Sequence, residues 1–241
     1  MRWVADLTGR FPKRPHYATD ELERVCDDVR NDFAHLRRVS AGGCLSVDDL
    51  AVMIECRAAD LDLYADLAEL GSDVEAVTDF APDRRPRVRV SHVLSEDRRR
   101  EHRLRTTLAH ELAHVVLHNF IWWFDQGTLD TGRSWSLSPR CHTGRRVHAA
   151  DWMEWQAAYA SGALLMPAAA VERVVEESGG PRVAWLRSAS GRERVRRVRQ
   201  AFEVSTLAAH VRLVQLGALS ERPALVRRAP VPRRLVRSVI R

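Results

Sequence analysis

Apolar side chains recur at helical spacing from residue 19 onward: Leu22, Val25, Val29, Phe33 and Leu36 share one face, which predicts a helix to about residue 38. Ala-Gly-Gly at 41–43 breaks it. Ser46-Val-Asp-Asp49 has the form of a capping box and opens a second helix over about 47–58, with Leu50, Met53 and Ile54 on one face. The period then changes from 3.6 to 2. Residues 61–67 alternate apolar and polar, and 74–80 and 87–91 follow with a turn-rich A-P-D-R-R-P between them, so three short strands in series predict a small antiparallel sheet. A charged stretch, 95–103, leads into a strongly apolar helix. Residues 121–150 have no periodicity and contain Gly127, Gly132, Pro139 and Gly144, the marks of a long loop of the kind often tied to function. Helices are expected over 152–165, stopped by Pro167, and over 168–178, before Gly179-Gly-Pro181. A helix pair closes the pattern, 192–202 and 205–216, the second with Ser205 as N-cap and Gly217 just past its end. Residues 1–18, with Pro12 and Pro15, read as a loosely ordered arm, and 220–241 as an extended basic tail.

The apolar helix carries T-T-L-A-H-E-L-A-H-V-V-L-H, residues 106–118. At about 100° per residue, with His110 at 0°, His114 falls at about 40°, Thr107 at about 60°, His118 at about 80° and Glu111 at about 100°. Leu104, Leu108, Leu112 and Val115 fall between about 120° and 200°. One stripe anchors the helix and the adjoining stripe holds the reactive groups. Two histidines at i and i+4 stand one turn apart, close enough to share one ion, while the intervening Glu111 is turned away from ligation and reaches a metal-bound water as general base. His118 faces the right way but lies two turns from His110, which makes it a supporting or cleft-wall residue sooner than a ligand.

Composition changes this picture little. The chain has 241 residues, 45% of them hydrophobic, enough for one large domain or one with an appendage. Four cysteines (Cys26, Cys44, Cys56, Cys141) without a C-x-x-C pair argue against a disulfide framework and for reduced, mostly buried thiols. No run suits a membrane span and the opening residues lack a signal peptide's apolar core, so the expectation is a cytoplasmic protein with no membrane partner. The net charge of +6 is uneven: after residue 180 come 15 arginines against three glutamates, a surplus of +12 that leaves −6 for the first 180 residues. Lys13 is the only lysine, so the arginine preference is global and weakens a nucleic-acid reading of the basic end.

Taken together, Val88-x-Val90, Arg105-Thr-Thr-Leu-Ala-His-Glu-Leu-Ala-His-Val-Val-Leu-His118, Glu154-x-Gln-Ala157 leading to Leu164-Leu-Met-Pro167, and Phe202-Glu-Val-Ser205 through Arg212-Leu-x-x-Leu-Gly217 resemble the ImmA/IrrE family of zinc metallopeptidases. The resemblance covers residues 19–219. It implies a gluzincin-like Zn2+ site with His110, His114 and Glu154 as ligands and Glu111 as general base, acting on a protein substrate, commonly a helix-turn-helix transcriptional repressor in a stress response. The fold it implies is α+β: a mainly helical zincin-like domain (19–180) with a small antiparallel three-stranded sheet, and a C-terminal helix pair (181–219) packed on it or appended to it.

The chain departs from the family at several places. Four residues after the ligand glutamate the family usually has Asn or Asp, able to orient a ligand histidine; here stands Ala158, while Gln156 replaces a common glutamate and Ala160 a common phenylalanine. Losses in this surrounding layer typically cost about 10–100-fold in metal affinity or activity. Asp151 reads first as the N-cap of its helix and second as a replacement acceptor. Cys141, His142 and His148 read first as surface residues of the loop; one of them, or Tyr159, is a candidate for oxyanion support. Ala158 also motivates an alternative function, a zinc-containing regulatory binding module with weak or no peptidase activity. Direct DNA binding through the C-terminal helices is less favoured, because Leu207, Val211, Leu213, Val214 and Leu216 leave little polar face for reading bases.

Overall fold

The computed structural model describes residues 1–37, 42–81, 84–124, 135–137 and 151–222. The chain opens with a hairpin, β1 (Arg2–Ala5) and β2 (Lys13–His16), followed by helices α1 (Thr19–Arg37) and α2 (Val47–Glu55). Strands β3 (Asp60–Ala65), β4 (Ala76–Ala81) and β5 (Arg84–Ser91) come next, then the short α3 (His92–Ser95) and the long α4 (Glu101–Phe124). After β6 (Trp135–Leu137) come α5 (Trp152–Leu165), α6 (Ala168–Ser178), β7 (Ala184–Trp185), α7 (Ala189–Phe202), α8 (Thr206–Gln215) and β8 (Leu219–Ser220). The fold is α+β and mainly helical. No helix among the described residues is long and apolar enough to cross a membrane.

Local signals set most helix ends. The Ser46 hydroxyl accepts from the Asp49 amide, and Asp49 accepts from the Ser46 amide, closing the capping box of α2. Asp151 caps α5, Ser188 caps α7 and Ser205 caps α8. Gly217, at φ 68°, turns the chain out of α8 in the left-handed region that glycine tolerates. One core links α1, α2, α4, α5 and the C-terminal pair: Leu22, Leu50, Leu108, Leu164, Val198 and Leu213 belong to a single buried cluster.

Two expectations need correction. The sheet is mixed and four-stranded, in the order β3-β5-β4-β6, not antiparallel and three-stranded. β4 and β5 form an antiparallel hairpin, but β3 lies parallel to β5 on its other side. Alternation reports which face of a strand is buried and says nothing of its neighbours, so strand order was not legible. Residues 1–18 are likewise no loose arm. Trp3 pairs with Pro15 across the hairpin, the Asp6 carboxylate accepts from the Thr8 and Phe11 amides in its turn, and Phe11 is buried against Trp122 and Trp152. Of the described cysteines, Cys26 is buried whereas Cys44 and Cys56 are exposed.

Candidate metal centre

Helix α4 runs through the middle of the molecule and is buried on nearly every side. Its apolar residues Leu104, Leu108, Leu112 and Val115 pack into the core, and so do its polar residues Thr107, Glu111, His114 and His118. α5 lies alongside and presents Glu154 to the histidines. His110 Nε2 is 3.1 Å from Glu154 Oε2, His114 Nε2 is 3.3 Å from Glu154 Oε1, and the two Nε2 atoms are 3.0 Å apart. One donor atom from each of these residues thus lies within 4.8 Å of the other two. His114 is fully buried, whereas the His110 and Glu154 side chains are each 16% exposed, at the edge of a cleft.

Glu111 stands beside this group with 0% of its surface exposed. Its Oε2 accepts a hydrogen bond from the Thr78 hydroxyl at 2.6 Å, while Oε1 is buried with no hydrogen-bond partner among the described residues. Burial pushes the Glu111 carboxyl above the usual carboxylate range, against the opposing pull of His114, His110 and the Thr78 hydroxyl. Glu154 behaves in the opposite way: burial raises it, but the charges and hydrogen bonds of His114 and His110 outweigh that and hold it well below the usual range. His114 is raised because Glu154 and Glu111 outweigh its burial. His118 is driven well below the ordinary imidazole value by burial first and by His114 second, which keeps it neutral.

No protein-family model matches this chain, and no curated protein matches it either. The functional reading therefore rests on geometry and on the motif resemblance.

The other candidates fall in different places. Asp151 accepts from the Glu154 amide as N-cap and pairs with Arg10 at 3.2 Å, so its carboxylate is engaged away from the histidines. Tyr159 is not at the centre: its hydroxyl donates to Glu23 Oε1 at 2.7 Å, beside the Arg212 guanidinium that grips the same carboxylate through two nitrogens. It ties α5 to α1 and α8 and is no oxyanion donor here. Cys141, His142 and His148 lie outside the described residues, as does the tail beyond residue 222. Ala158 is exposed on the cleft wall, and no described residue hydrogen-bonds to His110 Nδ1. His118 packs behind His114, its ring edge-on to Trp152.

Thr78 escaped the sequence reading although a signal existed. It shares strand parity with the buried Ala76 and Phe80, and a hydroxyl at an inward position needs a partner. The cleft has a volume of about 580 Å³. Leu165, Met166, Leu207, Ala208 and Val211 supply apolar lining, and Arg99, His102 and Arg103 also line it.

Proposed function

We propose that this chain is a zinc-dependent endopeptidase of the ImmA/IrrE kind acting on a polypeptide. The observation that carries the reading is Glu111 Oε1, a buried carboxylate oxygen without a partner among the described residues, in the cleft that also contains His110 and Glu154. The donor set fits zinc: two imidazole nitrogens and one carboxylate are a catalytic zinc site's three protein ligands, with a fourth position left for water or substrate. Two ring nitrogens 3.0 Å apart face the Glu154 carboxylate, so that one donor atom from each residue lies within 4.8 Å of the other two. Bound there, the ion supplies a Lewis acid that acidifies water and polarises a carbonyl.

The chain's own residues do the rest. His110 Nε2, His114 Nε2 and the Glu154 carboxylate hold the ion. Thr78 fixes Oε2 of Glu111, so that Oε1 is the atom that takes a proton from water entering the cleft. Burial raises the proton affinity of Glu111, which lets it keep that proton until the departing amine accepts it. The cleft, with its apolar lining, offers room for a stretch of polypeptide. A helix-turn-helix repressor as substrate follows from the family resemblance alone.

A second reading, a zinc-holding regulator that cleaves poorly, is favoured by the absence of any described partner for His110 Nδ1 beside Ala158. Incubating the Zn2+-loaded protein with a candidate repressor separates the two. Cleavage that disappears in Glu111→Gln supports the peptidase, and cleavage unchanged in that variant overturns it.

A further inference from the structure

Behind the candidate ligands runs a line of buried polar groups that the hydrolytic reading does not use. The Gln156 side-chain amide donates through Nε2 to the Pro15 carbonyl oxygen at 3.0 Å, and its Oε1 lies 3.0 Å from His118 Nε2. His118 Nδ1 is 2.9 Å from His114 Nδ1, and His114 Nε2 faces His110 and Glu154. Gln156 is 1% exposed, and both histidines are 0% exposed.

The direction of every proton in this line follows by elimination. A peptide carbonyl only accepts, so the Gln156 NH2 must face Pro15, which settles which end of the amide is oxygen. That oxygen also only accepts, so His118 Nε2 carries a proton. His118 is buried, forms no ion pair among the described residues and rests against Trp152, so a second proton would leave an uncompensated charge in the core. Its Nδ1 is therefore a bare acceptor. His114 Nδ1 must donate to it, so Nε2 is the nitrogen left to face His110 and Glu154.

We infer that Gln156 and His118, oriented by the backbone carbonyl of Pro15 in the N-terminal hairpin, are positioning residues that hold His114 as its Nδ1–H tautomer with Nε2 bare for a metal ion. This rests on the metal-centre reading above. The hairpin thereby acts on the metal centre: Pro15 sits in register opposite Trp3, so strand pairing at the N-terminal end of the chain sets the amide that sets the imidazole. The same line accounts for glutamine at 156. A carboxylate there would still accept from His118 but would turn acceptor against acceptor toward Pro15. Ala158 removes one route by which a ligand histidine is usually oriented, and the line through His118 provides another, for His114 alone.

The test measures Zn2+ affinity by chelator competition and ring-nitrogen protonation by 15N long-range correlation spectra. In the wild type, His118 should show a protonated Nε2 and a bare Nδ1, and the Zn2+-loaded His114 a protonated Nδ1 with the metal at Nε2. His118→Phe, which keeps a ring but offers no acceptor, should weaken Zn2+ binding by about 10–100-fold. His118→Asn, which sets a carbonyl oxygen near the former Nδ1 position, should bind more tightly than His118→Phe. A merely structural role predicts the reverse order, since Phe packs against Trp152 better than Asn does. Gln156→Met, which touches no ligand, should weaken binding by about tenfold. Wild-type affinity in folded His118→Phe and Gln156→Met, or a metal on Nδ1 of His114, overturns this inference and leaves the metal centre standing. A wild type that binds no Zn2+ overturns both. The wild-type spectra decide the matter even if the variants fail to fold.

Discussion

The Thr78 hydroxyl donates to Glu111 Oε2 at 2.6 Å, joining the middle of β4 to the helix that carries two of the three candidate ligands. Both groups are fully buried, so the bond is shielded from water, and it leaves the second carboxylate oxygen as the only one available to a substrate water. Thr78→Val keeps the branched shape and deletes the donor. A hydrogen bond to a charged group contributes about 1.5–3 kcal/mol, so kcat/KM should fall by roughly 10–100-fold. The lost bond stabilised the carboxylate, so Glu111 should rise further and the acid limb of the pH–rate profile should move to higher pH. Zn2+ stoichiometry should stay unchanged, and its loss would show that Thr78 supports the fold and not the base.

Glu154 binds the histidines from a separate helix, and its removal should empty the site. Metal content of purified Glu154→Ala should fall well below that of the wild type. Equal stoichiometry in the two proteins would mean the third ligand lies elsewhere.

The metal-free protein should show a bounded pH window of stabilisation from the same contacts. Glu154 has a depressed folded value, so its contribution is present above the unfolded glutamate value of about 4.3 and is lost as pH falls through the folded one. His114 has a raised folded value, so its contribution is complete below about 6.5 and is lost as pH rises through the folded one. The difference in Tm between metal-free wild type and Glu154→Gln should therefore be largest between roughly pH 4.3 and 6.5 and shrink on both sides. A difference that stays the same well below and well above that range would refute the ion pair.

Gly191 sits in the first turn of α7, where an added Cβ would lie 2.1 Å from the Trp185 carbonyl oxygen. Backbone gives way poorly, so Gly191→Ala should cost about 1–3 kcal/mol despite alanine's better helix propensity. Thermal melts of the two proteins check this; an equal or higher Tm for the variant would contradict the close approach.

The helices were largely legible. α5 and α6 begin and end where apolar spacing, Pro167 and Gly179 put them, and the Ser46, Asp151 and Ser205 caps stand at the expected positions. The convergence of His110 and His114 follows from i, i+4 spacing on one helix, and Glu111 beside them from the same geometry. Glu154 is different. Nothing in a periodicity links it to a histidine 40 residues earlier in the chain; only the motif resemblance did, and the packing of α5 along α4 brings it within 3.3 Å of both rings.

What the amino-acid order determined by itself was whatever depends on neighbours along the chain: helix faces, caps, stops and the spacing of two imidazoles and a carboxylate on one stripe. What only the tertiary structure decided was every relationship between distant segments. The insertion of β5 between β3 and β4, the Thr78–Glu111 bond, the engagement of Tyr159 by Glu23, and the line from Pro15 through Gln156 and His118 to His114 all belong to this class. The reason is physical. Local periodicity encodes which side of an element is buried, whereas the partner of a buried polar group is chosen by how the elements stack, and a backbone carbonyl such as that of Pro15 carries no mark in the sequence at all.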